Sequence, residues 1–212
     1  MSTSASKSPG LRDRKKAATR QAISNVATRL FVERGFEKVS VDEIAREAGV
    51  ARKTVFNYFP RKEDLVFDRE EEVRALVREA LVGRGRQAPV RAFQALMRTL
   101  VEERHPLFRI TRRPIAFWRS VAESPALTTR ARELQVTLAD DLAGMLAAAV
   151  DRPHADPDAR LAAAMLMSTL VVAYGEALCA CRGKRQAGAA FVSVMERGFA
   201  GVTAALAGTP YV

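Results

Sequence analysis

The chain has 212 residues, and at 48% hydrophobic and 27% charged it is too apolar for a disordered polymer and ordinary for a globular one. Lys and Arg outnumber Asp and Glu by 34 to 24, a net charge of +10 that favours a polyanionic partner, either nucleic acid or an anionic membrane surface. Two Cys and two His exclude a disulfide scaffold and leave too few ligands for a Cys/His zinc site, so neither metal nor cofactor is expected.

The opening MSTSASKSPG has no apolar segment, which predicts no secretory signal and a cytoplasmic location. Residues 1–11 read as a disordered, Ser-rich arm. From Arg12 to Arg34 the apolar positions Ala22, Ile23, Val26, Ala27, Leu30 and Phe31 recur at helical spacing, and Gly35 supplies the stop. Ser40-Val41-Asp42-Glu43 fits a capping box, in which the hydroxyl and the carboxylate satisfy orphan backbone N–H groups. The helix it opens, Val41–Ala48, ends at Gly49, and a short loop leads into a third helix, Arg52–Phe59. Pro60 breaks the chain, and the periodicity then predicts a longer helix from Lys62 to about Val82.

Two short helices joined by a tight Gly-containing turn are the layout of a helix-turn-helix, whose second helix enters the DNA major groove. Val55 and Phe59 share one face of that helix and are expected to pack inward, leaving Arg52, Lys53, Thr54, Asn57 and Tyr58 for DNA. Arg and Lys suit guanine O6/N7 or phosphate, Asn suits adenine or phosphate, and hydroxyls suit phosphate oxygens. Ser40 and Lys62 stand at the starts of two neighbouring helices, where the positive helix ends attract phosphate. The charge is distributed accordingly: residues 1–62 hold 14 Lys/Arg against 6 Asp/Glu, and residues 63–212 hold 20 against 18. The basic set Lys7, Arg12, Arg14, Lys15 and Lys16 beside this motif is expected along the DNA backbone.

The stretch from Ser40 to Leu65, SVDEIAREAGVARKTVFNYFPRKEDL, preceded by AISNVATRLFVERGF, resembles the N-terminal module of the tetracycline-repressor (TetR) family. The matching positions are Ala27, Leu30, Phe31, Gly35, Phe36, Ile44, Ala45, Ala48, Gly49, Val50, Phe59, Lys62, Glu63 and Leu65, and the likeness covers about residues 15–66. Two positions depart from the family pattern: Ala51 stands where Ser is common and Phe56 where Tyr is common, so a potential phosphate contact and a hydroxyl are lost. The resemblance implies that Lys62 contacts phosphate, that the last two long helices pair two subunits, and that a ligand entering the helical body releases DNA.

Beyond the GRGRQAP loop the pattern stays helical, with helices expected near 89–103, 107–112, 114–122, 125–150, 157–181 and 187–207. Ser124-Pro125 and Asp156-Pro157 each place a capping residue before a proline at the first helical position. Residues 161–181 are long enough to span a bilayer, but Glu176, six alanines and Gly175 favour burial between a core and a partner subunit, so no membrane partner is expected. Phe93, Met97, Phe108, Phe117, Trp118, Met145 and Met165 are the candidate lining of a mostly apolar ligand pocket, with ordinary core packing as the alternative. Arginines between 104 and 132 suit an anionic effector or a solvated helix face. Cys179 and Cys181 point to different faces of one helix, and His105 and His154 adjoin prolines with no cluster of ligand types. No catalytic residues are expected, since neither a nucleophile elbow nor a P-loop occurs.

The expected architecture is all-α, about nine helices: a disordered arm 1–11, a three-helix helix-turn-helix domain 12–61, and a larger helical ligand-binding and dimerisation domain 62–212. The expected function is that of a homodimeric transcriptional regulator, a repressor released from a palindromic double-stranded operator by a small-molecule effector. The competing reading is a helical ligand-binding protein or enzyme carrying a degenerate DNA module.

Overall fold

The computed structural model describes residues 10–106, 121–180 and 186–212, apart from the side chains of Leu11 and Asp13. Among the described residues there are eight α-helices, one 3-10 turn and no strand. Internal packing divides the chain between Asp68 and Arg69 rather than between 61 and 62. That later boundary moves Glu63, Asp64 and Asp68 into the first unit, so each unit carries a net +5 (14 basic residues against 9 acidic, and 20 against 15).

The first unit holds α1 (Leu11–Arg34), α2 (Val41–Glu47), α3 (Arg52–Tyr58) and a 3-10 turn at Glu63–Leu65. Gly10 caps α1, and Arg12, Arg14, Lys15 and Lys16 are helical, as the spacing predicts, and exposed. One face of α1 buries Ile23, Ala27, Leu30 and Phe31 against Phe36, Val39, Ile44, Ala45, Val55, Phe59 and Leu65. The Gly35 N–H returns to the Phe31 carbonyl at 2.9 Å and closes α1. At Gly49 the backbone takes φ +66, the left-handed conformation a side chain resists, and there the chain leaves α2 for α3.

The expected helix 62–82 begins only at Glu70: α4 is Glu70–Val82, and residues 63–65 form the 3-10 turn instead. The apolar spacing of Leu65 and Val66 continues that of α4, but tertiary contacts override it. Leu65 is buried in the first unit, Ser24 Oγ donates to the Asp68 carboxylate, and Arg20 Nη1 donates to the Asp68 carbonyl at 3.0 Å.

The second unit contains α4, α5 (Pro89–Glu102), α6 (Pro125–Ala148), α7 (Pro157–Ala180) and α8 (Ala187–Ala205). Both proline-led starts are capped as expected: Ser124 accepts from Leu127 N at 3.5 Å, and Asp156 Oδ1 accepts from Asp158 N and Ala159 N at 3.0 and 3.1 Å. The core runs from Val77 and Leu81 through Phe93 and Met97 to Leu146, Leu166, Phe191, Met195 and Phe199. Ion pairs tie its helices at the edges, Arg74 Nε to Asp141 at 2.6 Å and Arg98 to Glu196 by two contacts of 2.7 and 2.8 Å. The expected helix 107–112 and most of 114–122 lie outside the described residues, as do residues 1–9 and Cys181.

Among the described residues α7 alone is long and apolar enough to cross a membrane. It packs Ala159, Ala162, Ala163, Leu166, Leu170, Ala173 and Ala177 into the core of its own unit. A second stripe remains exposed: Leu161, Ala164, Ser168, Val171, Val172, Gly175 and Cys179, with Val171 and Val172 48% and 55% exposed. On α8 Val192 is exposed as well, and Gly198 lets the two helices approach so closely that an added Cβ would collide with the Thr169 side chain.

Candidate nucleic-acid interface

The α2–α3 pair is built by local chemistry. Ser40 Oγ accepts from Glu43 N at 3.2 Å while Ser40 N donates to the Glu43 carboxylate at 3.0 Å, completing the capping box. The Ser40 backbone N–H, followed by Arg34 at 2.9 Å, lowers the Glu43 carboxyl to about 2. Arg29 of α1 pairs with Glu47 at the other end of α2, so both ends of α2 are fastened to α1.

On α3, Val55 and Phe59 are both 1% exposed and anchor the helix in the core. Arg52, Lys53 and Asn57 are exposed, and Thr54 and Tyr58 are half-buried at the margin of that outward face. The expected α3 residues therefore lie on one helix, with their apolar neighbours turned away. Arg52 is already engaged: its guanidinium meets Asp42 at 3.1 Å and lies 5.5 Å from the centre of the Phe56 ring. Phe56 itself is 37% exposed.

Lys62 is placed differently from the residues of α3. It sits just before the 3-10 turn, half-buried, with Nζ donating to the Phe36 carbonyl at 2.7 Å and lying 4.1 Å from the Phe36 ring centre. Burial lowers its ammonium pKa from the ordinary lysine value, against the opposing pull of Glu37 and Glu63. The contacts of Arg20 and Ser24 with Asp68 went unanticipated, since no sequence spacing links residues 44 or 48 positions apart.

The candidate ligand residues are scattered in their surroundings. Phe93 and Met97 are 2% and 3% exposed and fully packed in the core. Met165 is half-buried against it, and Met145 lines an open groove of about 430 Å³ with Leu81, Val82 and Arg84. Phe108, Phe117 and Trp118 lie outside the described residues. Among the described residues no group of three or more His, Cys, Asp or Glu could hold a metal ion.

Residues 23–68 match the family of bacterial regulatory proteins, tetR family. Over 49 residues the chain is 51% identical to the transcriptional regulator MftR of Mycobacterium tuberculosis, a match covering 23% of this chain and 25% of that protein. Over 57 residues it is 39% identical to the HTH-type transcriptional regulator TcmR of Streptomyces glaucescens, covering 27% and 25%. The chain thus spans about a quarter of the length of the curated relatives it matches. The fold extends the likeness. A SmeT–triclosan complex superposes with a TM-score of 0.55 at 20% identity, covering 87% of this chain and 91% of the other. NalD of Pseudomonas aeruginosa, the secondary repressor of the MexAB-OprM multidrug efflux pump, gives 0.52 at 20% identity, covering 89% and 97%.

Proposed function

We propose, from the match of residues 23–68 to the tetR family of bacterial regulatory proteins, that the chain is a homodimeric, sequence-specific repressor released from a palindromic operator by a small molecule. The observation that carries this reading is α3, which turns Arg52, Lys53 and Asn57 outward over the buried pair Val55 and Phe59. Such a helix fits the major groove, where Lys53 and Asn57 have acceptors and donors within reach, while Ser40, Thr54 and Tyr58 suit phosphate. The exposed basic residues of α1 add sequence-independent attraction.

The exposed stripe of α7, with Val192 of α8, supports pairing with a second copy of the chain. Its small residues let helix axes approach closely, and an obligate interface there buries roughly 2,000 Å² or more. Two recognition helices then address half-sites roughly 34–36 Å apart. The effector enters the helical body; Met145 and Met165, partly buried at the edge of the core, are the described candidates, whereas Phe93 and Met97 belong to the packing. A ligand that displaces α4 acts on the DNA-binding end through chain continuity, since α4 begins two residues after Asp68, and so weakens the match to the operator.

A gel-shift assay with the DNA upstream of its own gene tests the reading. A specific complex should survive excess unrelated competitor, and binding that competitor DNA abolishes in proportion to its mass would reduce the protein to a non-specific binder. No complex at all would leave the rival, a helical ligand-binding protein with a degenerate DNA module.

A further inference from the structure

Phe56 is 37% exposed on α3 beside Lys53 and Asn57, whereas Val55 and Phe59 of the same helix fill the core. The Arg52 guanidinium, one turn earlier, lies over the ring at 5.5 Å and is itself tied to Asp42 at 3.1 Å. The ring therefore keeps more than a third of its surface in water and is steadied there by a charged neighbour. An aromatic side chain held in water forgoes the stabilisation of burial that the adjoining positions obtain. Lacking a hydroxyl, it has nothing to offer a phosphate or a hydrogen-bonding base edge. In the major groove every base pair presents donors and acceptors, and one base carries an apolar group there, the C5 methyl of thymine.

We propose that Phe56 is a specificity-determining residue that selects a thymine in each half-site by packing its ring against the C5 methyl. The assignment rests on α3 entering the major groove and deepens that reading: each half-site contains one T·A pair chosen by apolar contact, next to the bases that Lys53 and Asn57 address through hydrogen bonds.

The test starts from the duplex that the full-length wild-type protein enriches from a randomised palindromic library. Each thymine, together with its symmetry mate, is replaced by deoxyuridine, which removes the methyl and keeps the pairing and groove hydrogen bonds. Binding is measured at low salt, where phosphate contacts keep weak complexes measurable. One symmetric pair of positions should show wild-type affinity falling about fourfold per half-site, the loss of one buried methyl. At that pair Phe56→Ala should bind thymine and uracil duplexes alike, and Phe56→Leu should keep part of the difference. Circular dichroism of both variants should match wild type, because Val55 and Phe59 hold α3 in the core. Uniform indifference of the wild type to uracil, or a uracil effect that persists in Phe56→Ala, overturns the assignment. Failure of the wild type to enrich any duplex is a different result and removes the DNA-binding reading itself.

Discussion

Lys53 and Tyr58 occupy the outward side and the margin of α3, and neither is needed to hold Val55 and Phe59 in the core. Lys53→Ala should therefore weaken operator binding by roughly 1–3 kcal/mol, if its contact is to a base, with unchanged helicity. Wild-type affinity in that variant would remove α3 from the groove. Lys62 serves two purposes at once. One of its protons is committed to the Phe36 carbonyl, and the remaining two are free in number for phosphate. Lys62→Ala should weaken specific and non-specific DNA about equally, with the slope of log K against log salt falling by roughly 1. It should also lower thermal stability by about 1 kcal/mol through loss of the carbonyl and ring contacts; an unchanged salt slope with lowered stability would make it purely structural. Glu43 offers a test by pH. Its carboxyl is lowered to about 2 from an ordinary 4.5, so it binds protons less readily in the folded chain than in the unfolded one. The stability this confers is complete above pH 4.5 and fades as pH falls towards 2. Urea melts of wild type and Glu43→Gln should accordingly differ most at neutral pH and converge in acid; a constant gap would assign the difference to the shape of the cap instead.

The helices whose starts carry their own chemistry were legible residue by residue. Ser40, Ser124 and Asp156 all cap as their neighbours imply, and the ends of α2, α3 and α5 fall within a residue of the expected positions. The segment from Lys62 to Arg69 was not legible, because the partners that bend it, Ser24 and Arg20, are distant in sequence. On α3 the split between Val55 with Phe59 and the polar positions was readable from a 3.6-residue period, but the exposure of Phe56 depends on the shape of the surrounding unit. A helix apolar on nearly every side hides its orientation. On α7 and α8 the apolar positions look alike in sequence, yet Phe199 is 1% and Leu170 9% exposed, against 48% and 55% for Val171 and Val172. Phe199→Asp should consequently unfold the body, and circular dichroism will report it. Val171→Asp or Val172→Asp should instead give a folded monomer by light scattering that no longer recognises a palindrome; a folded dimer in either would move the interface elsewhere. Gly198→Val should cost about 1–3 kcal/mol, since Thr169 is stiff at χ1 and its hydroxyl is held by the Met165 carbonyl at 2.8 Å. A melting temperature equal to wild type would show that α7 and α8 can part without loss.

At the scale of the whole molecule the proposed dimer has a mass twice 23.2 kDa, which light scattering at micromolar concentration should return. Two copies bind one operator more tightly than one copy binds a half-site, to an extent set by how freely each DNA-binding unit is tethered. The contacts of Ser24 and Arg20 with Asp68 bear directly on that tether. They fix the last residue of the first unit, and α4 begins at Glu70, so a single residue, Arg69, lies between an anchored point and a helix. At roughly 3.3–3.6 Å per residue the leash has at most about 7 Å of contour, too little to behave as a flexible chain. Inserting two base pairs at the centre of the operator moves one half-site by about 7 Å along the axis and rotates it by roughly 70° about it. That duplex should be bound no better than unrelated DNA, whereas a loosely tethered reader would reach round and tolerate it. Ser24→Ala combined with Arg20→Ala removes both contacts and pays out slack, and the doubled variant should recover binding to the lengthened operator while losing some affinity for the original. In the proposed dimer such a clasp would act as a ruler for operator length.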